Sequence, residues 1–230
     1  MKVTLIIPAL DEAACIGPLL AEVPPGLAQQ VIVVDNGSTD GTGEAARLAG
    51  AQVVSEPRRG YGYACAAGVA VAAGEIVVFM DGDGSFVPAE AAALVAPLQR
   101  GAADLVLGTR MRGGMTPGAM PPHQLHGNRV IARLLRTLYG LQVTDLGPFR
   151  AIRLELLQRL EMQEHTYGWP VEMMVKAARC RERIVEVPVT YRPRQAGQSK
   201  VGGSVRGSAL ATYRIVRVAT KYAGRTQPQP

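Results

Sequence analysis

Apolar residues fall into short runs separated by polar, glycine-rich breaks. Val3–Ile7 is apolar and stops at Pro8, and Val31–Val34 stops at Asp35-Asn36-Gly37-Ser38-Thr39-Asp40-Gly41. With Gln52–Ser55, Ile76–Met80 and Asp104–Gly108 they make five short runs rich in β-branched residues, which read as buried strands. Segments of helical spacing lie between them. Asp11–Glu22 puts Ile16, Leu19, Leu20 and Val23 on one side; an Ala-rich stretch capped by Asp40 or Thr42 runs to about Leu48. Gly60–Ala73 and Pro88–Gln99 follow. This alternation predicts an α/β fold, a mostly parallel central sheet with helices on both faces.

After Thr109 the pattern changes. Met111–His123 is rich in Gly, Pro and Met without periodicity and reads as a loop, often functional at that length. Gln124–Tyr139 is an amphipathic basic helix, with Arg129, Arg133 and Arg136 along one side and Val130, Leu134, Leu135 and Leu138 on another. Thr144–Arg150 reads as a turn, Leu154–Leu160 and Val171–Arg179 as helices. Ile184–Tyr191 alternates and reads as an edge strand, because Pro188 lacks a ladder donor. Pro193–Gly203 is a polar loop. Ser204–Tyr222 is a last amphipathic helix, with Arg214, Arg217 and Lys221 spaced for one face. No repeat or linker divides the chain, so residues 1–222 read as one domain, with a change of pattern between residues 1–110 and 111–222 and a disordered tail (223–230).

Composition adds a charge asymmetry. The net charge of +6 combines 6 Lys/Arg against 12 Asp/Glu in residues 1–110 with 19 against 7 in residues 111–230. The acidic half suits metal- and base-binding carboxylates; the basic half suits a phosphate-bearing partner or an anionic membrane surface. Nucleic acid is set aside, since no base-stacking aromatic cluster or helix-turn-helix accompanies the charge. No apolar run reaches about 18 residues, and the first run is too short for a signal peptide, so a cytoplasmic location is expected. Cys15, Cys65 and Cys180 lack metal-ligand spacing and read as reduced thiols.

Four loops follow predicted strands and should share one edge of the sheet: Pro8–Glu12, Asp35–Asp40, Asp81–Ser85 and Gly108–Arg110. Asp81 and Asp83, one residue apart on a glycine-containing turn, suit Mg²⁺ or Mn²⁺ holding a substrate's phosphates. A plain solvated turn is the alternative for that tetrapeptide alone. Carboxylates gathered at one edge repel unless compensated, and three of the four loops carry acids, which favours a functional site. A dinucleotide fold would need Gly-x-Gly-x-x-Gly after the first strand, where Pro8-Ala9-Leu10-Asp11-Glu12 stands; a Walker A loop is absent. A phosphoaspartyl phosphatase would carry its Asp-x-Asp on the first strand with a later Asp pair, and neither holds.

The strings Ile7-Pro8-Ala9-Leu10-Asp11-Glu12-Ala13, Val33-Val34-Asp35-Asn36-Gly37-Ser38-Thr39-Asp40-Gly41-Thr42, Asp81-Gly82-Asp83, Gly108-Thr109-Arg110, Gly127-Asn128-Arg129, Asp145–Arg150, Tyr191-Arg192-Pro193-Arg194 and Ser199-Lys200 occur in this order. Over residues 1–222 the chain resembles a family 2 glycosyltransferase of the GT-A fold, near the dolichyl- and polyprenyl-phosphate mannosyl- or glucosyltransferases. That resemblance implies metal-dependent, inverting transfer of a hexose from a GDP- or UDP-sugar to a polyprenyl phosphate, with residues 1–110 as the nucleotide-sugar half and 111–222 as the acceptor half. It implies Pro8, Glu12 and Asp35 in the nucleotide pocket, Asp81 and Asp83 at the diphosphate and metal, and Arg110, Arg129, Arg150, Arg194 and Lys200 toward acceptor or donor phosphates. A hydroxyl acceptor would need a base, with Asp145 first and Glu172 second; a phosphate acceptor would not. His165 and Trp169 could shape the sugar or acceptor side; a structural role is preferred for His165, and for Trp169 packing and sugar stacking both stand.

Some positions depart from the family's wording. Asn36 replaces a second Asp, Asp11 replaces Asn, Gly84-Ser85 follows Asp-x-Asp, and Gly147-Pro148 replaces Ser-Gly. The first two keep polar oxygens; the last two leave donor and acceptor identity open. A family 2 enzyme acting on a small hydroxyl or phosphorylated acceptor, and a non-catalytic nucleotide-sugar-binding module, are the alternatives. Peripheral placement at the inner membrane face fits a lipid acceptor; for the last helix, packing on the catalytic domain is preferred over lying on the membrane.

Overall fold

The five apolar runs become β1 (Val3–Ala9), β2 (Gln30–Asp35), β3 (Gln52–Ser55), β4 (Ile76–Phe79) and β5 (Leu105–Thr109) in the computed structural model, which describes residues 1–197 and 205–223, with backbone alone over 205–211. Lys200 and residues 224–230 of the expected tail lie outside the described residues. Two further strands, β6 (Arg150–Arg153) and β7 (Ile184–Pro188), complete a seven-stranded sheet of order β3-β2-β1-β4-β6-β5-β7. All neighbours pair in parallel except β6, which runs antiparallel to both β4 and β5.

Each strand alternates its side chains between two cores. On β4, Val77 and Phe79 enter one and Ile76 and Val78 the other. One core is covered by α1 (Ala13–Ala21), α2 (Thr42–Leu48) and α4 (Ala91–Gln99), through Ile16, Leu19, Ala46 and Leu94. The other is covered by α3 (Tyr61–Ala70), α5 (Pro122–Tyr139), α6 (Leu154–Arg159), α7 (Trp169–Arg179) and α8 (Val205–Lys221), through Cys65, Ile131, Leu156, Met174 and Val218. Burying a side chain such as Phe79 or Leu94 stabilises by about 1.5–3 kcal/mol.

The turn expected over Thr144–Arg150 is irregular backbone up to Phe149, and β6, which begins at Arg150, is a strand the sequence reading did not assign. Its four residues are two apolar ones between arginines, too short for a visible period, and only the neighbours β4 and β5 make it a strand. β7 does lie at an edge, as Pro188 predicted. The parallel strands all end at one edge of the sheet; β6, running against them, begins there. The loops after β1, β2, β3, β4, β5 and β7 and the loop before β6 therefore converge. Among the described residues no helix is long and apolar enough to cross a membrane.

Candidate active site

The loops after β1 and β2 are clasped by the Asp35–Thr42 string. Asp11, at φ 50°, donates its N–H to Ser38 Oγ at 3.0 Å and accepts the Thr39 N–H at 2.9 Å. The Glu12 N–H reaches Thr42 Oγ1 at 2.8 Å, and Asp40 accepts the N–H groups of Ala13 and Thr42 at 2.9 and 3.0 Å. Asp40 thus serves the first turns of α1 and α2 together. Burial pushes its carboxyl up, but these hydrogen bonds outweigh that and hold it below the usual range.

The clasp forms one wall of a cleft of about 320 Å³ whose lining includes Pro8, Glu12, Asp81, Asp83 and Arg194. Arg194 bridges two of the acids, with Nη2 at 2.5 Å from Glu12 and 3.4 Å from Asp83. Asp81 carries the strain of the arrangement. Burial and the charge of Asp83 push its carboxyl up to about 7, against the pull of Arg110. The loop carrying these acids is held by the segment after β7: Arg192 N–H donates to Ser85 O at 2.8 Å, and Gln195 N–H to Asp83 O at 3.0 Å. Gly84 sits at φ 75° with the Gln195 side chain where a Cβ would go, so this backbone demands glycine.

The other expected site residues are elsewhere. Asp35 does not line the cleft; its Oδ1 accepts the Ser38 N–H at 2.8 Å. Asp145 is buried and held from three sides by Arg110, through Nε at 2.8 Å, Nη2 at 2.7 Å and the backbone N–H at 2.7 Å. Burial raises the Asp145 carboxyl, but Arg110 outweighs it and holds the group below the usual range, in its charged form. Arg110 also stacks over Tyr191, 4.9 Å from the ring centre. Arg150 is buried; it donates to Pro170 O at 2.7 Å, Leu146 O at 3.2 Å and Gly147 O, so its guanidinium is spent on tying the Asp145–Phe149 loop to α7. Burial pushes it down to about 10. Arg129 is exposed on α5. Glu172 is buried, accepting from Tyr222 Oη at 2.6 Å and from the Gln163 and Glu164 N–H groups at 2.9 and 2.7 Å. His165 stacks on Tyr63 at 4.2 Å, and Trp169 lies in the core.

Several lining residues escaped the sequence reading: Asn36, Arg59, Tyr61, Thr166, Tyr167 and Arg214. Arg59 had a visible signal, since it follows β3 and strand ends gather at one edge. Asn36 explains its own departure from Asp. Its Nδ2 donates to Glu56 O and Arg58 O at 2.9 and 2.7 Å, and its Oδ1 accepts the Gly60 N–H at 2.8 Å. A carboxylate could not make the two donations. Arg214, whose Nη1 meets Thr166 Oγ1 at 3.2 Å, comes from α8, 131 positions beyond Asp83, with nothing local to mark it.

Two hard carboxylates share a pocket where burial, and after it their mutual repulsion, already raises Asp81, a repulsion that a cation would relieve. Among the described residues no cluster of three His, Cys, Asp or Glu forms a complete cage. Asp81 and Asp83 therefore fit a cation that takes its other ligands from phosphate and water, the usual habit of Mg²⁺.

The chain is similar to known glycosyltransferases in sequence and in fold. The chain is 42% identical over 216 residues to an uncharacterised glycosyltransferase of Mycobacterium tuberculosis, covering 91% of this chain and 94% of the relative. It is 35% identical to a dolichyl-phosphate hexose transferase of Haloferax volcanii, covering 90% of each chain. It is 30% identical to an undecaprenyl-phosphate mannosyltransferase of Micrococcus luteus, covering 97% of each. The fold is shared with the crystal structure of glucosyl-3-phosphoglycerate synthase from Mycobacterium tuberculosis in complex with Mn²⁺, UDP and glucosyl-3-phosphoglycerate, at TM-score 0.77, 23% identity and coverage of 98% of this chain and 81% of that one. Residues 4–161 match the model described as glycosyl transferase family 2, and the chain belongs to that family.

Proposed function

We propose that the protein transfers a hexose from a nucleotide-sugar, GDP- or UDP-linked, to a polyprenyl phosphate, with inversion at the anomeric carbon and dependence on Mg²⁺ or Mn²⁺. The observation that carries this reading is the cleft itself: Asp81 and Asp83 line one pocket together with Arg59, Arg194 and Arg214. That mixture suits a diphosphate, whose oxygens need both a cation and guanidinium forks. The relatives named as polyprenyl- and dolichyl-phosphate hexosyltransferases support the acceptor class.

In this reading Pro8, Glu12 and Asn36 border the nucleotide, and Asp81 and Asp83 hold the cation. When bound, the cation neutralises the departing diphosphate. The acceptor oxygen attacks the anomeric carbon opposite the diphosphate; the new C–O bond forms as the old one breaks, and its electron pair leaves with the nucleoside diphosphate. A phosphate acceptor is already anionic, so no base is required, in keeping with the absence of Asp145 and Glu172 from the cleft lining. Asp145 instead fixes Arg110 near Asp81, and Arg110, Arg129 and Lys200 are left as acceptor-phosphate candidates.

The test is incubation with Mn²⁺ and a panel of UDP-, GDP- and dTDP-sugars, following nucleoside diphosphate with and without polyprenyl phosphate. Release that requires the lipid supports the reading. Release that ignores the lipid sinks the acceptor, and no release under any condition sinks the activity.

A further inference from the structure

The helices α5 and α8 pack side by side over one core, joined by the Tyr139 hydroxyl donating to Ala219 O at 2.6 Å. Neither contains an acidic residue, in 18 and 17 positions respectively. The outer side of α5 exposes Arg129, Arg133 and Arg136, and that of α8 exposes Arg217 and Lys221. Of the seven large hydrophobic residues exposed among the described residues, four lie here: Val130 and Leu138 on α5, Tyr213 and Val216 on α8. Helical faces that mix arginines with exposed aliphatic and aromatic side chains, without acids, have the character of interfacial helices.

We propose that the outer faces of α5 and α8 form one docking surface for an anionic lipid bilayer. Five cations match the charge of anionic headgroups, and the four apolar side chains have a use at the headgroup boundary. A nucleic acid backbone would engage the arginines and leave Val130, Leu138, Tyr213 and Val216 in water. A second copy of the same face would bring like charges together. The placement also has a consequence for the cleft: α8 turns Arg214 into its lining while the adjacent Tyr213 faces outward. The bilayer would thus lie beside the site where the sugar is transferred. The proposal deepens the polyprenyl-phosphate reading and rests on it for its purpose, because that acceptor is held in a membrane.

Flotation with vesicles of phosphatidylcholine alone, or mixed with phosphatidylglycerol, tests the surface directly. The full chain should float with the anionic vesicles, less at high salt, and weakly with phosphatidylcholine alone. The R133Q/R136Q/R217Q variant should bind about a hundredfold more weakly, about fivefold for each charge. Tyr213→Ser with Val216→Ser should also weaken binding, with every charge retained. Indifference to lipid charge, or unchanged binding by the triple variant, overturns the proposal. So does binding to duplex nucleic acid, or self-association, that depends on these arginines while vesicles are ignored. Transfer to a short, water-soluble isoprenyl phosphate shows that the variant is folded: its rate should equal the wild type's, while transfer to a long-chain acceptor in anionic vesicles should fall. Vesicle binding without transfer to either acceptor would leave the surface standing and remove the acceptor reading. Transfer without vesicle binding would do the reverse.

Discussion

Arg110 and Asp145 form a buried two-pronged ion pair, at 2.8 Å from Nε to Oδ2 and 2.7 Å from Nη2 to Oδ1, closed by the Arg110 N–H on Oδ2 at 2.7 Å. The pair joins the end of β5 to the loop that starts β6, and so couples an inserted antiparallel strand to the parallel ones around it. An amide at position 145 would keep the size, lose the charge and turn an N–H group toward a guanidinium. Breaking a buried pair from one side costs about 3–5 kcal/mol. We expect D145N to unfold at lower urea by that order.

The same pair fixes a pH dependence. The folded carboxyl of Asp145 lies below its unfolded value, burial notwithstanding, because Arg110 favours the charged form. Its stabilisation is complete above the ordinary Asp value of about 3.9 and fades as pH falls through the depressed folded value. Wild-type stability should therefore drop more steeply than that of D145N below about pH 4; equal acid limbs would refute the pairing. At neutral pH, folded D145N should transfer to a phosphate acceptor at no less than about a tenth of the wild-type kcat. A loss of 10²- to 10⁴-fold, on the order of a missing general base, would reinstate Asp145 in that role.

Asp83 sits in the cleft with its carboxylate partly open, 3.0 Å from the Ser85 N–H and 3.4 Å from Arg194 Nη2. Removing it leaves Arg194 paired with Glu12 and takes away the charge that repels Asp81. D83A should keep its thermal midpoint close to the wild type's, lose the enhancement of UDP or GDP binding by Mn²⁺, and drop in activity about 10²- to 10³-fold. Calorimetric titration of nucleoside diphosphate with Mn²⁺ or with chelator reads the coupling. Retention of the Mn²⁺ effect would place the cation elsewhere.

Arg59 and Arg214 enter the cleft from the loop after β3 and from α8. A hydrogen bond to a charged group contributes about 1.5–3 kcal/mol. Each single change, R59Q or R214Q, should weaken nucleoside diphosphate binding by about ten- to a hundredfold while leaving nucleoside binding little altered. Arg217, exposed three positions along α8, provides the control, since R217Q should bind nucleoside diphosphate like the wild type. An R214Q protein with undiminished affinity would show that Arg214 only anchors Thr166.

The sequence exposed the half of the site that is built from strand ends. Period and composition place β1 to β5, and the rule that parallel strands end at one edge brings Pro8, Glu12, Asp81 and Asp83 together. What it could not show depends on contacts far apart in the chain. β6 is a strand only because β4 and β5 flank it, and Arg214 reaches the cleft because α8 is packed on the core and tied to it by Tyr139 on Ala219 O and by Tyr222 on Glu172, both at 2.6 Å. Residue type also leaves orientation open. Arg150 and Asp145 read as candidates for phosphate and proton; in the fold the Arg150 guanidinium meets carbonyl oxygens and the Asp145 carboxylate meets Arg110. Charge in a motif does not say which way the side chain is spent.

Gly62 tests the wall on which Thr166 and Tyr167 stand. A Cβ there would run into Glu164 O and the backbone of His165, atoms that cannot rotate aside. Gly127, within α5, has nothing within 4 Å of the same added atom. G127A should therefore gain up to about 1 kcal/mol from helix propensity. G62A should lose about 1–3 kcal/mol, the usual cost of overpacking. It should also displace the Glu164–Tyr167 segment from the cleft, so nucleoside diphosphate affinity should fall along with stability. Denaturant melts and nucleotide titration on the two variants separate the effects. Wild-type affinity in G62A would show that the segment moves without the nucleotide sensing it, and Thr166 and Tyr167 would then drop out of the binding site.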